Sequence, residues 1–127
     1  MLDDDDHVFV DLLHSLGIQR NVAKVITYLA VTGEATSRDM ELGAGLNQPE
    51  VSIAMRTLRG ENWVNERDVK SSEGKGRPHK VYSLSTPVDE IIKIIEEERQ
   101  KEIGEERQKE IGEAMQSIQK LKDLASI

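Results

Sequence analysis

Residues 46–64, LNQPEVSIAMRTLRGENWV, leave the chain little choice of local structure. Asn47 can cap a helix, Pro49 suits the first turn because its missing N–H has no partner there, and Glu50 stands where a capping box needs an acceptor. Val51, Met55 and Leu58 then recur at helical spacing and make one buried stripe. The pattern predicts a helix over about residues 47–60. From Trp63 the apolar period falls to two, so WVNERDVK and HKVYSLS predict short strands on either side of SSEGKGRP. A capped helix running directly into a hairpin is therefore the piece around which the remaining elements must be arranged.

Three helices are predicted upstream. HVFVDLLHSLG places Val8, Leu12, Leu13 and Leu16 at helical spacing, with Gly17 as the stop. IQRNVAKVITYLAVTG repeats the pattern through Val22, Val25, Ile26 and Leu29 and closes at Gly33. TSRDMELGAG opens with Thr36 and Asp39 in a capping-box arrangement and is broken by Gly43 and Gly45, which predicts a short helix and a tight turn. Residues 1–6 are read as an acidic tail, the alternative for the same aspartates being the negative end of a helix start.

Beyond Pro87 breakers are nearly absent. Val88, Ile91, Ile92 and Ile95 lead into charged sequence, and Ile111, Ala114, Ile118, Leu121 and Ala125 follow the alternating steps of three and four of a coiled-coil seam. Between them EERQKEIG occurs at 97–104 and again at 105–112, each copy supplying one apolar side chain, Ile103 or Ile111. Eight residues are one heptad plus one, so each copy turns the stripe by about 80° on a straight helix. Gly104 and Gly112 each cost about 1 kcal/mol relative to alanine, which predicts a kink or fraying.

Charge is distributed unevenly. The formal net charge is −7, yet residues 46–80 carry seven basic and five acidic side chains, whereas the flanking segments are acidic. Lys75, Arg77, His79 and Lys80 crowd around glycines and a proline at the hairpin tip. The absence of cysteine removes disulfides, zinc-thiolate sites and thiol nucleophiles, and fits a reducing cytoplasm. No run is long and apolar enough for a membrane span, and MLDDDD has the wrong charge for a signal peptide. No phosphate loop, metal-ligand spacing or nucleophile–base pair supports an enzyme or a cofactor site. His7 and His14 share a helix face without a third ligand.

The order helix, helix, short helix, glycine turn, capped helix and hairpin is that of a winged helix-turn-helix. ATSRDMELGAGLNQPEVSIAMRTLRGENWV resembles the helix-turn-helix of ArsR- and MarR-type winged-helix regulators, especially archaeal ones, and the resemblance covers about residues 16–86. GRPHKVYSL resembles their wings. Two positions depart from the pattern: Asn62 replaces the usual glycine, and Ile53 stands where a polar, DNA-reaching residue is common. The expected fold is mainly α with a small β-hairpin: a winged helix-turn-helix over residues 7–86 and a long C-terminal dimerisation helix over 87–127.

The resemblance implies a homodimeric transcription regulator that reads double-stranded DNA. On that reading Gln48, Pro49, Ser52, Ile53, Arg56 and Arg59 face the major groove, opposite the buried stripe. The wing, about residues 70–80, brings Lys75, Arg77, His79 and Lys80 to the backbone or a minor groove. Val88, Ile91, Ile92, Ile95, Ile103, Ile111, Ala114, Ile118 and Leu121 form the dimer seam. The alternative is a winged helix that docks on protein machinery without reading DNA, which the acidic total favours. No pocket chemistry identifies a small-molecule effector.

Overall fold

The computed structural model describes residues 1–70 and 79–125. Its elements are α1 (Asp4–Ser15), α2 (Arg20–Thr32), β1 (Ala35–Thr36), α3 (Ser37–Ala44), α4 (Gln48–Gly60), β2 (Val64–Val69), β3 (His79–Leu84) and α5 (Val88–Ala125). The strands form one antiparallel sheet in the order β1-β3-β2, with Ala35 opposite Tyr82 and Glu66 opposite the same tyrosine on the other side. This is a winged helix, mainly helical, with a long C-terminal helix. The two-residue β1 is too short to carry a period, which is why the sequence pattern points only to the hairpin.

Three of the helices begin with reciprocal capping boxes. Asp3 and Asp6 start α1, Thr36 and Asp39 start α3, and Asn47 and Glu50 start α4, each pair satisfying two backbone N–H groups that the helix leaves unpaired. The first of these corrects the reading of residues 1–6 as a tail. Asp3 is the cap, Asp4 to Asp6 form the first turn where negative charge favours the helix dipole, and Leu2 is buried, its N–H bonded to the Gly43 carbonyl at 3.1 Å.

The core collects Val10 and Leu13 of α1, Val22, Val25, Ile26 and Leu29 of α2, Met40 of α3, Val51, Met55 and Leu58 of α4, and Trp63 and Tyr82 of the sheet region. On α1 the expected stripe is displaced. Val8–Leu12 and Phe9/Val10–Leu13–Leu16 are two competing helical rows; the second packs inward, and Val8 and Leu12 are exposed. Junctions behave as their residues dictate: Gly17, Gly33 and Gly45 adopt positive φ after helices, and Asn62 does so at φ 61° before β2.

Gly43 works differently, because it lies inside α3. A Cβ there would fall 2.3 Å from the Tyr28 ring, so the absent side chain is what lets α2 and α3 close together.

The chain divides into two compact units, Met1–Ile92 and Lys93–Ile127. In the first, Ile91 is completely buried, which removes it from the expected dimer seam and makes it a core residue; Val88 and Ile92 beside it are half-buried. In the second, helix continues through both copies of EERQKEIG, without the expected fraying. Ile103, Ile111, Met115, Ile118, Leu121 and Leu124 are all exposed there, and Ile95 is half-buried. No helix among the described residues is long and apolar enough to cross a membrane.

The glycines give a paired test in chemical denaturation. Gly43→Ala is expected to cost about 1–3 kcal/mol by overpacking, and to cost almost nothing once Tyr28→Ala has removed the ring. Gly104→Ala, whose Cβ would meet nothing within 4 Å, is expected to raise the helicity of α5 by circular dichroism, with about 1 kcal/mol of added helix stability.

Candidate nucleic-acid interface

α4 presents two chemically different faces because its apolar residues keep helical spacing. Val51, Ala54, Met55 and Leu58 are buried, while Gln48, Pro49, Ser52, Ile53 and Arg56 lie exposed on the other side. The structure therefore brings these five expected readers onto one solvent face. Ile53, at 55% exposure, is a large apolar side chain in a polar setting, where a thymine methyl is a suitable contact.

The start of that helix is fixed by a single carboxylate. Glu50 accepts from the Asn47 backbone N–H at 3.0 Å through one oxygen and from the Asn21 side-chain amide at 3.1 Å through the other, while its own N–H donates to Asn47 Oδ1 at 2.9 Å. Gln48 and Pro49 sit inside this clasp, so their positions follow α2. Asn21 and Glu50 are 29 residues apart, so no local sequence pattern signals this bond.

The expected cations fall into separate groups. Arg56 is exposed and makes no ion pair among the described residues, so its guanidinium is available to a ligand. Arg59 is not: its Nε donates to Glu66 of β2, and its guanidinium carbon lies 6.0 Å from the centre of the Tyr82 ring. Lys80 Nζ approaches the other oxygen of Glu66 at 3.6 Å. Glu66, Tyr82, Lys80 and Asp68 share one sheet face through the pairings Glu66–Tyr82 and Asp68–Lys80. His79, opposite Val69, belongs to the other face with Arg67, so it does not join Lys80 in one cluster. Lys75 and Arg77, with the rest of 71–78, lie outside the described residues.

Two further basic residues escaped the sequence reading. Arg38 in the first turn of α3 is exposed and has no ion pair among the described residues. Arg67 donates to Glu34 at 2.5 Å and ties β2 to the segment before β1. His14 has a local structural role, its Nδ1 lying 2.9 Å from the Ile18 carbonyl. Among the described residues no group of His, Cys, Asp or Glu is placed to hold a metal.

The arrangement is thus a winged helix-turn-helix with an exposed polar face on its capped helix. No protein-family model matches the chain, and no curated protein matches it. Solved structures do. The chain is similar to a possible transcriptional regulator from Methanosarcina mazei, with a TM-score of 0.58, 12% identity, and coverage of 77% of this chain and 83% of that one. It is also similar to a MarR-family regulator from Neisseria meningitidis, with a TM-score of 0.50, 17% identity, and coverage of 92% and 84%. MepR, a transcription regulator of the Staphylococcus aureus multidrug efflux pump MepA, matches with a TM-score of 0.50, 17% identity, and coverage of 91% and 89%. At these identities the likeness establishes the fold these regulators share.

The Arg59–Glu66 pair has a pH signature. The adjacent Arg59 guanidinium holds the Glu66 carboxyl below its ordinary value of 4.5, with burial opposing it. Because the folded value is depressed, the pair's stabilisation is present above the ordinary value and is lost as pH falls through the lowered one. In denaturation between about pH 5 and pH 3, Glu66→Gln is expected to lose less stability than the native chain. Equal losses would contradict the ionic pairing.

Proposed function

We propose that the protein is a homodimeric regulator of transcription that reads double-stranded DNA through α4. The observation that carries this reading is the exposed row Gln48, Ser52, Ile53 and Arg56 on a helix whose opposite side is buried and whose start is clamped to α2. Gln48 can address adenine with two hydrogen bonds, Arg56 guanine, and Ile53 and Pro49 the thymine methyl. The wing, with Lys75, Arg77, His79 and Lys80, meets sugar-phosphate backbone beside that groove. The regulators from Methanosarcina, Neisseria and Staphylococcus support the same reading by fold.

Dimer formation is assigned to the exposed row Ile103, Ile111, Ala114, Ile118 and Leu121, continued by Leu124. Ile111, Ala114, Ile118 and Leu121 repeat at coiled-coil spacing, with Ile103 turned about 80° from them and Leu124 beside the seam, and so much apolar surface in water favours a second copy of the same helix. Two copies would present two α4 helices to successive major grooves, about 34 Å apart on one side of the duplex.

Binding to a random-sequence duplex, followed by anisotropy at about 50 and 200 mM salt, is expected to weaken steeply because each neutralised phosphate releases counterions. Arg56→Ala and Gln48→Ala are expected to change which duplexes bind best. A salt-independent or undetectable interaction would instead favour a protein-docking winged helix. By light scattering the chain is expected near twice its 14.3 kDa mass, and Ile118→Asp near one mass.

A further inference from the structure

Glu66 sits between two cations. At 29% exposure it is less exposed than either cation it engages, Arg59 at 48% and Lys80 at 57%. It approaches Arg59 through Nε, and no second carboxylate pairs with that guanidinium among the described residues. Its contact with Lys80, at 3.6 Å, is an ion pair beyond hydrogen-bond length, so the ammonium is held loosely. Tyr82, buried beside them, limits where the guanidinium can lie. The two cations belong to the C-terminal end of α4 and to β3, which on the proposed function are the recognition helix and a strand of the wing.

We propose that Arg59, Lys80 and Tyr82 form a phosphate subsite, that Glu66 fills it in the free protein as an internal oxyanion, and that a backbone phosphate of duplex DNA displaces Glu66. The inference rests on the DNA-binding reading above and assigns that surface a built-in competitor. Carboxylate and phosphate both accept from a guanidinium, and phosphate offers more oxygens and more charge to share with Lys80. An ion pair this exposed contributes little to stability, so the exchange of one oxyanion for the other is accessible. The consequence is selective: mobile anions and non-ideal backbones must compete with a tethered carboxylate, whereas a duplex already held by the Gln48–Arg56 face delivers its phosphate to the site.

The test compares the native chain, Glu66→Gln and Asp68→Asn. Asp68 is a second carboxylate on the same sheet face, opposite Lys80, and makes no ion pair among the described residues, so Asp68→Asn removes one negative charge near the subsite while leaving the Arg59–Glu66 pair in place. Binding to a random-sequence duplex is followed against salt, and the Arg59 Nε–H resonance is followed on addition of duplex or inorganic pyrophosphate. Glu66→Gln is expected to bind duplex about tenfold more tightly than the native chain, a charge-assisted bond's worth, and clearly more tightly than Asp68→Asn. Its logarithmic salt slope is expected to stay within about 1 of the native value, since the same phosphates are neutralised once Glu66 has been displaced. Equal gains in the two variants, or weaker binding by Glu66→Gln, would overturn the subsite while leaving DNA binding intact. If no form binds duplex but pyrophosphate still moves the Arg59 resonance more strongly in Glu66→Gln, the anion subsite stands and DNA falls as its ligand. If neither probe distinguishes Glu66→Gln from the native chain, the subsite is wrong.

Discussion

The carboxylate of Glu50 is the interaction on which the exposed face depends. A helix start leaves N–H groups without partners, and here one side chain satisfies the Asn47 N–H and also takes the Asn21 amide from α2. Helix propensity alone would permit α4 to fray or to rotate on its apolar side. The second bond ties its first turn to a neighbouring helix whose own core residues are almost wholly buried. Direction and register of Gln48, Ser52, Ile53 and Arg56 then follow from helix geometry and need no contribution from the readers themselves.

Electrostatics divides this surface more finely than net charge suggests. Although the chain is acidic in total, Arg56 stands without an acidic partner among the described residues, and Arg59 and Lys80 share one. Cations on the same surface thus differ in what a ligand must displace to reach them. On the proposed reading, such a surface would gain affinity in stages, first from open groups and then from those released by exchange.

Much of this was legible in the residues because the signals were local. Capping boxes at Thr36–Asp39 and Asn47–Glu50, the stripe Val51–Met55–Leu58, and the left-handed Asn62 depend on neighbours a few positions away, and each is realised. The aspartates at the start of α1 were ambiguous because charge suits both a solvated tail and a helix terminus; burial of Leu2 decides between them. Ile91 belongs to the core; apolar spacing marks a face without saying what covers it. The pairing of Arg59 with Glu66, and of Asn21 with Glu50, arises only when a helix is folded against another element, so no periodicity announces it.

The central claim is that α4 of a paired chain reads duplex DNA, and selection from a pool of random duplexes with sequencing of the bound fraction tests it most directly. Enrichment of a two-fold symmetric motif whose half-sites are about one helical turn apart, retained over bulk DNA as salt is raised, is expected. Recovery of the input sequence distribution at both low and moderate salt would contradict it.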